Sequence, residues 1–223
     1  MADDPHFPKE VDEAPLAAFG GREPPASDWF KWAIAQEPER SMVAVEGSDV
    51  ELLAWGERGK PGLILLHGGS AHADWWSFIA PFLAKDYRVA AISLTGMGGS
   101  GWREAYTFEI YAQELRAGAL AAGLYEADAL PIFLGHSFGG AQVYYAARTY
   151  PEWMRSAILV DTGFGPPPAT EGFRLPRERT GPHRVYPTLE AALARFRLMP
   201  PQGCQNAYIA DFIARRSLKR AAM

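Results

Sequence analysis

Pro131-Ile132-Phe133-Leu134-Gly135-His136-Ser137-Phe138-Gly139 reads as a short apolar strand, a sharp turn and the approach to a helix over 141–150. Gly135 and Gly139 flank the serine at the spacing G-x-S-x-G. Residues without side chains at those two positions let the chain turn tightly under Ser137 and hold its hydroxyl at a strained corner. The amide of Phe138 and the start of the next helix then face the place where negative charge would develop. This strand, turn and helix context points to Ser137 as an acyl-transfer nucleophile.

Working outward, residues 62–66 read as a buried strand ending at His67-Gly68-Gly69. Upstream, 42–46 and 50–55, separated by Gly47-Ser48-Asp49, read as an antiparallel hairpin. Downstream, the pattern predicts a helix over 75–83, a strand over 88–93, and a flexible turn through Gly96-Met97-Gly98-Gly99-Ser100-Gly101. A helix over 108–122 follows, and after the nucleophile strand and its helix the last clear strand is 157–160. Strands alternating with helices predict an α/β fold, a mostly parallel sheet covered by helices on both faces, with ligands at the carboxyl ends of the strands. His67, Ser137 and Asp161 all fall at such ends.

The 223 residues, 48% of them hydrophobic, suffice for one substantial core, and a formal net charge of −4 gives no reason to expect a nucleic-acid partner. The apolar runs are far too short to cross a bilayer, so no membrane partner is expected. A single cysteine, Cys204, excludes an intrachain disulfide and a thiolate metal cluster. The opening Met-Ala-Asp-Asp-Pro lacks the basic and then apolar pattern of a secretory signal, so the cytoplasm is the expected compartment. Residues 1–27, with prolines at 5, 8, 15, 24 and 25, read as an extended peripheral arm. The expected organisation is an amino-terminal arm and lead-in over 1–40, a core over 41–165 and a helical cap or lid segment over 166–223. In that last segment helices are predicted over 188–196, with Thr188 as cap, and over 206–219, with Tyr208, Ile209, Phe212 and Ile213 on one apolar stripe. The basic end of the second helix reads as a solvated face.

His67-Gly68-Gly69, the glycine turn at 96–99, the 135–139 motif and the order of strands together resemble the α/β-hydrolase fold over about residues 41–165, in its serine branch with a helical cap. The resemblance implies that the amides of Gly69 and Phe138 form an oxyanion hole, with Ser70 as nearby substitute, and that His67 braces the loop. It implies a carboxylic ester or related acyl compound as small-molecule substrate, and no cofactor. Serine at the elbow argues against haloalkane dehalogenase and epoxide hydrolase, relatives that carry an aspartate there. Trp75, Trp76, Phe138 and Phe164, with Tyr208 and Phe212, are possible pocket neighbours, though residues of this kind are more often core. Where relatives often have Asp-Leu-x-Gly, this chain has Ser93-Leu94-Thr95-Gly96, so the turn is expected to lack a charged anchor.

A serine hydroxyl needs a histidine within reach and an acid behind it. Asp161 is the acid candidate, at a position some relatives use, with a cap-hinge residue as its other reading. The histidines are His6, His67, His72, His136 and His183, and none stands out as the base; no three of them form a convincing metal set. The resemblance places the catalytic histidine after further strands that this sequence does not show. The chain therefore reads as part of a hydrolase whose last strands and histidine come from a complementary carboxyl-terminal fragment, as a truncated product, or as a binding or assembly protein without turnover. An open sheet edge after 157–160 implies that fragment or self-association as partner.

Overall fold

The computed structural model describes residues 14–163, 184–198 and 202–220. These form two compact units, residues 29–163 and residues 14–28 with 184–220.

The larger unit is built on six strands, β1 (Glu39–Val45), β2 (Ser48–Trp55), β3 (Gly62–Leu66), β4 (Arg88–Ser93), β5 (Ile132–His136) and β6 (Ser156–Val160), in the order β1-β2-β4-β3-β5-β6. The hairpin β1–β2 joins β4 antiparallel, and β4, β3, β5 and β6 run parallel. This is the expected α/β architecture. β3 and β4 are buried at every residue, as central strands covered on both faces must be.

Alternate residues face opposite sides. Leu52, Ala54, Ile64, Leu66, Ala90, Ile92 and Phe133 pack beneath α3 (Phe108–Ala121) and α4 (Phe138–Thr149). Leu53, Leu63, Leu65, Val89 and Ala91 pack on the other side with Ala73 and Ala80. Thr107 starts α3 by accepting a hydrogen bond from the Ile110 amide at 3.1 Å. Gly118 lets that helix close on the sheet, since a Cβ there would lie 2.6 Å from Ile92.

The helix expected over 75–83 is two pieces, a 3-10 turn at Ala73–Trp76 and α2 (Ala80–Leu83). Pro81 supplies no amide to bond the Ser77 carbonyl, and its ring crowds that turn, so a continuous helix cannot form. A helix not anticipated, α1 (Asp28–Ile34), buries Phe30 and Ala33, with Phe30 against Phe78 and Trp32 against Phe82. Its signal was a short aromatic run after Ser27-Asp28, masked by the prolines before it.

In the smaller unit, α5 (Leu189–Ala194) is capped by Thr188 as expected, and α6 (Ala207–Arg216) buries Ala210, Ile213 and Ala214. Leu193, Ala210 and Ala214 enclose Leu16, so residues 14–28 are packed here, which proline-rich composition did not reveal. Arg215 is held by Asp211 at 2.7 Å and by the Gly21 carbonyl at 2.8 Å.

Arg88, the first residue of β4, is fully buried. It donates to the carbonyls of Ala122 at 2.9 Å and Gly56 at 2.6 Å, and its hydrogen bonds hold the Glu39 carboxyl below the usual carboxylate range. One side chain thus ties the ends of α3 and β2 to the central sheet. Arg88→Met removes those charge-assisted bonds and is expected to lower the unfolding free energy by about 2–3 kcal/mol. A urea denaturation midpoint within error of the parent protein would show the network to be dispensable.

Candidate active site

β5 ends at His136 and α4 begins at Phe138, so Ser137 alone makes the corner between them, with φ 50° and ψ −116°. Four non-glycine residues have positive φ among the described residues. Three of them, Ser70, Ser137 and Asp161, follow the carboxyl ends of β3, β5 and β6. Such backbone costs about 1–3 kcal/mol per residue and collects at functional sites. The Ser137 amide donates to the Val160 carbonyl at 2.9 Å, fixing the corner to the end of β6.

The glycines of the motif are needed for close approach. A Cβ on Gly139 would overlap the carbonyls of His67 and Leu66, and one on Gly135 would lie 2.5 Å from the Gly139 carbonyl oxygen. Helix α4 therefore starts against the end of β3. The helix was expected from 141; it begins three residues earlier because Phe138, Gly139 and Gly140 are its first turn.

The loop after β3 lies beside this corner. A Cβ on Gly68 would be 3.5 Å from the Ser137 Cβ, and one on Gly69 would be 3.6 Å from the Phe138 Cβ. Gly68 and Gly69 are thus brought beside Ser137 and Phe138, with Ser70 next in the same loop. His67 is buried and engaged through both ring nitrogens, with Nε2 accepting from the Leu94 amide at 3.1 Å and Nδ1 2.7 Å from the Gly68 carbonyl. An acceptor Nε2 places the proton on Nδ1, which donates to Gly68, so the ring is neutral. Burial depresses its pKa from 6.5 to about 4, against the opposing pull of the Gly68 carbonyl.

Among the described residues no hydrogen bond joins a histidine to the Ser137 hydroxyl. His72 is buried beside Gly98. His136, 39% exposed, has Nε2 3.8 Å from the Asp161 carboxylate, which is 89% exposed. His6, His183 and Phe164 lie outside the described residues. Trp76 packs on the sheet face opposite α3 and α4, and the buried Nε1 atoms of Trp75 and Trp76 have no hydrogen-bond partner. Among the described residues no cluster of histidine, cysteine and acidic side chains could hold a metal ion, and no helix is long and apolar enough to cross a membrane.

The turn after β4 differs from expectation. Ser93 does not leave it without a charge, because Glu51, its direct partner across the β2–β4 pairing, supplies one. Glu51 Oε2 accepts from the Ser93 hydroxyl at 2.6 Å and the Gly99 amide at 2.9 Å. Further along, the buried Glu114 accepts from the Thr95 amide at 3.0 Å and hydroxyl at 2.5 Å, and from Arg103 at 3.1 Å. Burial pushes the Glu114 carboxyl up despite those bonds. Neither carboxylate was picked out from sequence, where each is one acidic residue in an ordinary amphipathic element.

A separate groove of about 600 Å³, lined by Trp32, Gln36, Trp55, Phe82 and Lys85, lies where β2 ends and β4 begins, away from Ser137.

A model of the alpha/beta hydrolase family matches residues 63–222. The chain belongs to this family. The "Serine hydrolase-like protein" of Danio rerio is 29% identical over 184 residues, covering 75% of this chain and 53% of that protein. "Lipase LipV" of Mycobacterium tuberculosis (strain ATCC 25618 / H37Rv) is 30% identical over 128 residues, covering 57% of this chain and 45% of that protein. The chain thus spans about half the length of these curated relatives. Among solved structures, the "Thioesterase Domain From Curacin Biosynthetic Pathway" superposes with a TM-score of 0.64 at 21% identity, covering 83% of this chain and 69% of that one, a likeness of fold.

His67 carries a pH consequence for the stability of this chain. Its folded pKa lies below its ordinary value, so the unfolded chain takes up the proton first. Its contribution to stability is complete above pH 6.5 and declines as pH falls toward 4, by about 3 kcal/mol in all. Denaturant unfolding across that window should show the slope, and His67→Asn should flatten it while lowering stability at neutral pH.

Proposed function

We propose that this chain carries the nucleophile and oxyanion hole of a serine hydrolase acting on a carboxylic ester or related acyl substrate. The observation that carries the reading is the conformation of Ser137, a single strained positive-φ residue between β5 and α4 with the Gly69 loop beside it. Strain of this kind persists only where surrounding structure enforces it, and it presents a hydroxyl beside the amino end of a twelve-residue helix.

In this reading the Ser137 oxygen attacks the acyl carbon, and the carbonyl oxygen becomes an oxyanion that accepts hydrogen bonds from the amides of Phe138 and Gly69. The serine proton passes to a histidine and from it to the departing alkoxide as the carbon–oxygen bond breaks. Water then attacks the acyl-serine by the same route, releasing the acid and restoring Ser137. Two amides aimed at the oxyanion supply a few kcal/mol of transition-state stabilisation.

The histidine comes from a complementary carboxyl-terminal portion, with Asp161 as the acid available beside β6. Supporting this are the full engagement of His67 and the exposure of Ile158 (43%) and Val160 (42%) on β6, the last strand of the sheet among the described residues. A parallel strand added there would cover that edge. Ser70, Trp75, Trp76 and, from its place in the sequence, Phe164 are the candidates to contact a small or moderately apolar substrate, and the segment with α5 and α6 is read as the cap. One cysteine among 223 residues suits a reducing compartment such as the cytoplasm.

The test is intact mass under native and denaturing conditions with a fluorophosphonate probe. The expected result is one label on Ser137, absent from Ser137→Ala, accompanied by a second polypeptide under native conditions. No label on Ser137, even with the complementary portion supplied, sinks the enzyme reading and favours a binding or assembly protein on the same fold.

A further inference from the structure

The loop that carries Gly69 is fastened to the end of β4 at both of its ends. On one side His67 Nε2 accepts the Leu94 amide at 3.1 Å. On the other the Ala73 amide donates to Ser93 Oγ at 2.9 Å. Only residues 68–72 span the interval, closed by the Ala71 amide donating to the Gly68 carbonyl at 3.2 Å. Where Gly69 sits relative to Phe138 therefore depends on which way the Ser93 hydroxyl points.

A serine hydroxyl rotates, and it accepts from Ala73 in a fixed direction only if its own proton is committed elsewhere. Here the proton is committed to Glu51, at 2.6 Å, a charge-assisted bond. The same carboxylate oxygen takes the Gly99 amide at 2.9 Å. A Cβ on Gly99 would come within 2.5 Å of Glu51, so the bare backbone at 99 is what admits the carboxylate. Ser100 completes the arrangement, accepting from the Glu51 amide at 2.8 Å and donating to the Ser93 carbonyl at 2.5 Å. Arg40, from β1, adds a positive charge near Glu51 while paired to Asp74 at 2.6 Å.

We propose that Glu51 is a positioning residue for the oxyanion loop, acting through Ser93 and Ala73 on Gly69 while anchoring the glycine turn at Gly99. The proposal rests on the serine-hydrolase reading for its catalytic meaning, and on the hydrogen-bond relay for its structure. One carboxylate at position 93 could reach both amides by itself; in this chain the task is divided between a hydroxyl on β4 and a carboxylate on its neighbour β2. An aspartate returned to position 93 should therefore replace Glu51.

The experiment compares the parent chain with Glu51→Ala, Glu51→Gln and Glu51→Ala/Ser93→Asp. Amide hydrogen exchange at Ala73 and Gly99 is measured alongside the rate of fluorophosphonate labelling of Ser137. Glu51→Ala is expected to speed exchange at both amides about tenfold or more and to slow labelling by a similar factor. Ser93→Asp in that background should bring both back toward the parent values, which a general loss of stability would not do. Glu51→Gln, which keeps shape and volume, should show the same local change in smaller measure and decides the matter if the alanine variant does not fold. Exchange at Ala73 and Gly99 unchanged in the folded variants, or faster exchange without slower labelling where the parent chain is labelled, overturns the proposal. A parent chain that takes no label overturns the serine-hydrolase reading instead, and exchange at the two amides still decides whether Glu51 holds the loop.

Discussion

The close approach of α4 to the end of β3 is the constraint on which this structure turns. Glycine at 135, 139 and 140 lets the first turn of the helix sit against the carbonyls of Leu66 and His67 and the side chain of Thr162. A side chain at any of the three would push the helix outward. The strain at Ser137 is the geometric counterpart of that contact: the chain leaves β5, reverses through one positive-φ residue and enters α4 without an intervening loop. The Val160 carbonyl receives the Ser137 amide and so brings β6 into the same constraint.

Around this corner the protein uses neutral or paired polar groups to hold backbone. His67 gives up basicity to act as a two-ended clip. Glu114 is buried despite the cost to its carboxylate and gathers Thr95 and Arg103, while Arg103 reaches the carbonyls of Val45 and Glu46 at 2.6 Å. Arg88 performs the equivalent task at the opposite end of the sheet. Loops at both ends are thus tied to strands by charge-assisted bonds, which matters most at the carboxyl end, where small displacements of an amide change its aim.

Much of this was legible in the chain because β3, β4 and β5 are short, apolar and punctuated by glycine or proline, and because the 135–139 motif has a strand before it and a helix after it. Family resemblance, through the 135–139 motif for Phe138 and His67-Gly68-Gly69 for Gly69, singled out two residues that lie side by side. What escaped was long-range. Glu51 and Ser93 are 42 positions apart and meet only through the register of β2 on β4. Leu16 becomes a core residue only when helices nearly two hundred positions later pack on it. Proline-rich composition hid α1 and the packing of residues 14–28, and Pro81 divided a helix that apolar spacing alone suggested.

The division of an anchoring task between two strands also makes the loop depend on contacts distant in sequence. The parallel strands and the Ser137 corner lie within residues 62–160, yet the loop beside that corner has its Ser93 support fixed only where the β1–β2 hairpin pairs with β4 and sets Glu51 opposite Ser93. Pairing of an antiparallel hairpin with β4 is a non-local contact, with loop-closure entropy to overcome. Support of the loop that carries Gly69 therefore depends on a non-local pairing, through an element that lies outside the Ser137 corner.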